Sequence, residues 1–283
     1  MIKVLHPGIY NTVQDQGRFG YAKMGIPTAG FLDAYTADFG NFLLDNKESD
    51  AAVEITFGQG KFQFTRPTVF CLTGGDFSPK LDSDLIEMNR VYRAKSGAVL
   101  SFGKRNFGAR TYLAVQGGIQ SEVILKSRSF SKGITPVRLE KGDELKTVEQ
   151  QELRETGNAR VREHIKHFTS GDLACYPGPE FDRLNDKQKQ RLSEPFTLSS
   201  DNNRVGYRLN EPLENDLQPI LTSSVLPGTI QLTPSGKLIV LMKDCQVSGG
   251  YPRVLQLSEY AISRLSQKMA GENVRFKMHN FNL

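Results

Sequence analysis

The sequence predicts a mainly β protein built as two halves. Short apolar runs recur along the chain, with turn signals about every 8–12 residues. Glycine is frequent, at 26 of 283 residues, and glycine pairs follow several of the runs: Gly74-Gly75, Gly117-Gly118 and Gly249-Gly250. Residues 146–167 break this pattern, being rich in Gln, Glu and Arg and poor in large apolar side chains. Such a stretch reads as an exposed connection. The expected organisation is therefore a first β domain over 1–148, a linker over 149–168 and a second β domain over 169–283.

The first half opens with a short extended segment, broken at Pro7-Gly8, and then a glycine-punctuated loop from Asn11 to Gly30 that carries Asp15, Arg18, Phe19 and Tyr21. Asp33 is placed to N-cap a helix running to about Asn46. Leu32, Tyr35, Phe39, Phe42 and Leu43 share one face of that helix and are expected in the core. Strands follow at Val53–Phe57, Lys61–Phe64, Thr68–Thr73, Ala98–Phe102 and Arg110–Val115. The loop Lys126–Lys132 is basic and rich in hydroxyls. Ser127, Arg128 and Ser129 there make either an anion-binding loop or a solvated surface turn.

The second half begins with a strand at Leu173–Tyr176, followed by an expected continuous helix from Glu180 to Leu192. Pro234-Ser-Gly236 reads as a hairpin turn into the apolar strand Leu238–Met242. That strand runs into Lys243-Asp-Cys-Gln-Val-Ser-Gly-Gly-Tyr-Pro-Arg253, where Pro252 stiffens the position of Tyr251 and the glycines admit close backbone approach. Ser258 is placed to cap a final helix that Gly271 stops. Arg18-Phe-Gly-Tyr21 and Arg204-Val-Gly-Tyr207 echo one another across the halves.

Composition narrows the function classes. Charged residues make up 24% and the net charge is +5, with both signs mixed along the chain and no basic block, so no nucleic-acid partner is expected. No apolar run approaches the roughly 20 residues that cross a bilayer, so no membrane role is expected. Cys71, Cys175 and Cys245 are far apart and the N-terminus shows no signal pattern, which points to the reducing cytoplasm. His164 and His167 lack further ligands nearby, so no metal is expected. Histidine is scarce, which leaves Asp15, Asp76, Lys243, Asp244 and Tyr251 as candidates for proton transfer.

An ordered set of motifs then resembles the carboxyltransferase-domain family, also called allophanate hydrolase subunit 2. Its carriers are Thr12–Arg18 with Gly20-Tyr21, Asn41 with Asn46, Leu72–Asp76, Tyr112–Ile119, Ser127-Arg128-Ser129, Asn203–Leu209, Pro227–Gln231 and Gly249–Pro252. The resemblance covers nearly the whole chain. It implies two cyclophilin-like β-barrel subdomains with a few short helices and a cleft between them. It also implies membership of an ATP-dependent 5-oxoprolinase complex that opens 5-oxoproline to glutamate with B-type and A-type partner subunits. Alternatives within the resemblance are a biotin-dependent carboxyltransferase subunit acting on urea or a similar small amide, and a non-catalytic regulator of the B-type partner. On this reading Asp15, Lys243 and Tyr251 are catalytic. Arg18, Tyr21, Asn203, Arg204, Tyr207, Arg208, Gln231, Gly249 and Gly250 bind substrate, and Ser127, Arg128 and Ser129 hold an anion. The chain departs from the family pattern at Phe31, Lys126 (usually glycine), Phe130, Cys245 and Val247, which leaves the substrate open.

Overall fold

The computed structural model describes residues 1–148 and 165–279. The chain divides into two units, Met1–Arg18 with Ala29–Thr169 and Phe19–Thr28 with Ser170–Leu283. Residues 149–164 of the expected linker lie outside the described residues. No described helix is long and apolar enough to cross a membrane.

The first unit carries strands β1 (Ile2–His6), β2 (Thr12–Gln14), β3 (Ala52–Thr56), β4 (Lys61–Phe64), β5 (Thr68–Asp76), β6 (Lys80–Leu81), β7 (Asp84–Leu85), β8 (Val91–Ala94), β9 (Val99–Ser101), β10 (Phe107–Val115) and β11 (Glu144–Leu145), with helices α1 (Ala34–Leu43) and α2 (Lys166–Thr169). They form one sheet in the order β11-β1-β4-β9-β6-β7 and a second in the order β2-β3-β10-β5-β8. Period-two alternation explains why β5 and β10 read as solid apolar runs: they are covered on both faces. Phe70, Leu72, Leu113 and Val115 point into a core with Ile2, Val53 and Phe62. Val69, Cys71, Tyr112 and Ala114 point the other way, to Phe31, Ala37 and Leu44.

Helix α1 starts where expected, because the Asp33 carboxylate accepts a hydrogen bond from the Thr36 amide at 3.1 Å. Its orientation corrects the expected core stripe in part: Leu32 is fully buried and Leu43 packs against the core, but Tyr35 and Phe42 are not in it. The buried helical residues are Thr36, Ala37, Gly40 and Asn41, whereas Tyr35 is 48% and Phe42 73% exposed. The small residues explain the reversal. A Cβ on Gly40 would lie 3.0 Å from Thr73 Oγ1 and 3.4 Å from the Ala114 methyl, so the helix sits close on β5 and β10 and turns its aromatics outward. Of the expected linker, residues 166–168 form part of α2, where His167 is fully buried. Its Nε2 lies 2.9 Å from Asp33 Oδ2, and its ring packs on Tyr35 and Phe168.

The second unit carries β12 (Asp172–Pro177), β13 (Phe196–Thr197), β14 (Gly206–Arg208), β15 (Ser223–Ser224), β16 (Thr229–Leu232), β17 (Leu238–Leu241), β18 (Ser248–Gly249), β19 (Arg253–Leu257) and β20 (Asn273–Met278), with α3 (Asp186–Leu192) and α4 (Glu259–Ser266). Seven of these strands form a sheet in the order β13-β20-β12-β19-β16-β17-β14, while β15 and β18 make a separate ribbon. All pairings in the large sheet are antiparallel except β12 with β20. The continuous helix expected over 180–192 is instead a 3-10 turn at Phe181–Arg183 followed by α3. The break comes from Asn185, whose side chain and that of Gln188 close a reciprocal capping box and start a new helix. Ser258 caps α4 as expected, accepting from the Ala261 amide at 3.2 Å.

Candidate functional site

The sequence-predicted residues fall into two groups, one in each unit. In the first unit the Asp15 carboxylate is 6% exposed and surrounded by donors. Oδ1 accepts from the hydroxyls of Ser127 and Ser129, both at 2.6 Å, and from the Gly17 amide at 2.8 Å. Oδ2 accepts from the Arg128 amide at 2.6 Å. The anion that the Ser127–Ser129 loop holds in this structure is therefore the Asp15 side chain.

Both arginines of this group also face acceptors of the chain itself. Arg18, 1% exposed, donates from Nε to the Ile124 carbonyl at 3.2 Å and from its terminal nitrogen to the Ser129 carbonyl. Arg128 donates to the Ser121 carbonyl and, at 2.8 Å, to Gln120 Oε1. Each fork clamps a loop. Leu125 and Lys126 lead into this loop with φ of 52° and 64°, the left-handed region that favours glycine.

In the second unit Arg204 forms a two-point pair with Asp244, Nε to Oδ2 and a terminal nitrogen to Oδ1, both at 2.9 Å. Asn203 turns the preceding loop by accepting from the Val205 and Gly206 amides at 2.8 and 3.2 Å. Tyr207 is buried in β14, and Arg208 pairs with Asp201 at 3.3 Å. Lys243 Nζ lies 3.0 Å from Glu259 Oε2. Tyr21 sits apart from these contacts in the chain, at the start of a 3-10 turn over Ala22–Met24. The two Arg-x-Gly-Tyr segments thus serve different local structures.

The ribbon of β15 and β18 carries the predicted residue Gly249 and leads through Gly250 to Tyr251. Ser223 pairs with Gly249 and Ser224 with Ser248, and the Ile220 amide donates to the Gly250 carbonyl at 2.9 Å. Tyr251 follows, 40% exposed. Against Gly249 lies Gln231, 2% exposed, whose amide nitrogen has no hydrogen-bond partner among the described residues. A Cβ on Gly249 would meet that nitrogen at 2.5 Å, so the glycine makes the room the amide occupies.

Two arrangements escaped sequence reasoning. Arg253 grips Glu180 through Nε and a terminal nitrogen, both at 3.0 Å, and its other terminal nitrogen reaches Ser223 Oγ at 2.9 Å and the Ser224 carbonyl at 3.0 Å. This fixes the ribbon to β19. The Arg253 hydrogen bonds hold the Glu180 carboxyl below its usual range, and Glu180 raises the guanidinium above its own. The second arrangement is a buried polar network. Glu54 accepts from the Tyr112 hydroxyl and the Leu32 amide, both at 2.9 Å, and the Asp33 amide donates to Tyr112 at 2.8 Å. Burial first, then the nearby Glu54 and Asp33 charges, pushes the Tyr112 phenol well above its ordinary value. In sequence the partners lie far apart, Arg253 and Glu180 by 73 residues, Tyr112 and Glu54 by 58, and only the polar residue types inside apolar strands gave a signal.

The departures from the family pattern prove to be mostly packing residues. Phe31 is 1% exposed and stacks edge-on against Tyr112 at 5.5 Å. Phe130 belongs to the core of the first unit, and Cys245 packs with Val225 and Leu241.

A family model described as carboxyltransferase domain, subdomain A and B, matches residues 24–278. The chain belongs to this carboxyltransferase-domain family. Among its relatives, the C-type subunit of 5-oxoprolinase from Escherichia coli is 33% identical over 98% of this chain and 90% of that protein. The protein of the same description from Haemophilus influenzae is 31% identical over 98% and 91%. Urea amidolyase of Saccharomyces cerevisiae is 27% identical over 97% of this chain but only 16% of its own length. The solved structure of TTHA0988 superposes with a TM-score of 0.89 at 27% identity, covering 98% of this chain, which spans 55% of that one. Kluyveromyces lactis urea carboxylase gives a TM-score of 0.84 at 25% identity, over 97% of this chain and 27% of that one. The mainly β architecture with few short helices is thus the family's fold.

Proposed function

We propose that this carboxyltransferase-domain protein is the C-type subunit of an ATP-dependent 5-oxoprolinase. With B-type and A-type partner subunits it opens the lactam of 5-oxoproline, a small cyclic amide, to glutamate. The observation that carries this reading is the end-to-end match to the C-type subunit from Escherichia coli, 33% identical over 90% of that protein. The three buried free thiols support a reducing, cytoplasmic setting.

Lactam opening breaks one C–N bond and adds one water: hydroxyl goes to the carbonyl carbon, a proton to the ring nitrogen. Tyr251, with its side chain 40% exposed beside the glycine ribbon, is the residue we assign to that proton. Gln231 offers the amide hydrogens with no described acceptor for orienting the substrate carbonyl. Lys243 Nζ is held by Glu259 Oε2 at 3.0 Å and positions the start of the loop that leads to Tyr251. Asp15 takes a positioning role, because four donors already hold its carboxylate.

The residues named as anion holders do not fit a nucleotide's phosphates. Arg18 and Arg128 clamp carbonyl and amide oxygens, Arg204 and Arg208 face Asp244 and Asp201, and the serines hold Asp15. We therefore assign ATP to the partner subunits. A second reading is favoured by the 27% identity to urea amidolyase over 97% of the chain. On it, the chain transfers a carboxyl group from a biotin carrier to urea or a similar amide.

The test is reconstitution with the partner subunits. ATP-dependent formation of glutamate from 5-oxoproline is expected. Carboxylation of urea that requires bicarbonate and a biotin carrier, without glutamate formation, establishes the second reading instead. Tight partner binding with neither reaction makes the chain a regulator and overturns both.

A further inference from the structure

We infer that the outward face of α1 docks an arginine-bearing segment of a partner subunit, and this rests on the partner reading above. The face is built for contact. Tyr35, Phe39 and Phe42 line a groove of about 470 Å³ that also takes in Asp38 and Glu48. Phe42 is 73% exposed, and its ring stacks with that of Phe39 at 6.4 Å and 20°. The helix gives its inner surface to Ala37, Gly40 and Asn41, which leaves Phe42 facing outward. Large exposed aromatics grouped in a concave site are the composition of interface anchors rather than of ordinary surface.

Charge selects the occupant. The chain as a whole carries a net +5, yet the charged side chains lining this groove are both carboxylates, and none of the described lining residues is Lys or Arg. Aromatic faces beside carboxylates suit a guanidinium, which stacks on the rings through its plane and pairs with an acid at its edge. Asp38 is oriented by Gln16, whose Nε2 donates to Oδ1, and Gln16 also reaches the Glu48 carbonyl at 3.2 Å. One residue thus ties the acidic side chain on α1 to the loop that carries the other. A free arginine lacks the apolar surface that would cover Phe42, whereas a polypeptide segment presents both. The 5-oxoprolinase relatives are, by their description as subunits, parts of multi-chain enzymes.

The test measures, by titration calorimetry, the affinity of the full chain for the separately purified B-type subunit. Phe42→Ser is expected to weaken binding at least about tenfold. Glu48→Gln is expected to weaken it several-fold and to flatten its dependence on salt. Leu85→Ser, at another exposed apolar residue of the same unit, is expected to leave it unchanged. Phe42 is exposed, so thermal melts of the variant should match the parent and separate lost docking from lost folding. Equal affinity for Phe42→Ser and the parent overturns the groove while leaving the partner reading intact. Absence of any complex with the parent chain overturns the partner reading and the groove together. If the parent chain self-associates, Phe42→Ser is monomeric and B-type affinity is unchanged, a second copy covers the face and the inference fails.

Discussion

Asp15 and Tyr251 stand at opposite ends of what a polar residue in a conspicuous motif can be doing. The Asp15 carboxylate joins two loops 112 residues apart through the Ser127 hydroxyl, with three further donors around it. Replacing it by alanine strands those donors, and Asp15→Ala is expected to lower stability by about 3 kcal/mol or more in urea denaturation. Tyr251→Phe removes one exposed hydroxyl. It should leave stability within about 0.5 kcal/mol and cut turnover of the assembled complex roughly a hundredfold. Unchanged turnover would remove Tyr251 from the chemistry. Lys126 gives a test of opposite sign. Its φ of 64° is a conformation that glycine adopts without the Cβ conflict, so Lys126→Gly is expected to stabilise by about 1 kcal/mol. The motif residues were legible in sequence, but their partners were not. Nothing in a single sequence ties position 15 to 127 and 129, and a basic, hydroxyl-rich loop looks the same whether it holds a ligand or a neighbouring carboxylate.

The elements show where local chemistry suffices and where packing decides. Asp33 and Ser258 were readable as caps because capping is a property of adjacent residues. The face of α1 was not readable from periodicity, since two stripes share the helix and only Gly40 against Thr73 and Ala114 determines which is inside. Asp33 does more than cap: it also meets His167 of α2. Asp33→Ala is therefore expected to cost about 2–4 kcal/mol, combining a lost cap with a buried imidazole left without this partner. Ser258→Ala, a cap alone, should cost about 1 kcal/mol. The ribbon of β15 and β18 depends on Arg253 and Glu180. The Glu180 carboxyl is held below its ordinary value in the folded state, so its contribution is present above the ordinary carboxylate range near pH 4.5 and is lost as pH falls through the lowered value. The raised Arg253 guanidinium keeps its contribution at every pH below the ordinary arginine range. Urea midpoints should thus fall below about pH 4.5 more steeply for the parent chain than for Glu180→Gln. Parallel curves would show that the pair adds nothing.

At the scale of the whole molecule, two β units of one family fold bury all three cysteines. Burial pushes Cys175 and Cys245 up to about 12 and Cys71 further. The folded chain should therefore resist a thiol reagent at neutral pH and release three reactive thiols in denaturant. The fold class was legible because turn spacing and strand periodicity repeat along the chain. The division into units was less so: Phe19–Thr28 belongs with the second unit, a property of contacts that no composition shift marks. On the proposed function, this chain is a required subunit of a lactam-opening assembly. The most direct test of this requirement adds the chain stepwise to fixed amounts of the A-type and B-type subunits with ATP and 5-oxoproline, and follows glutamate. The expected rate is negligible without the chain, rises with each addition and saturates at a fixed ratio to the partners. A rate that is the same with and without the chain would contradict it.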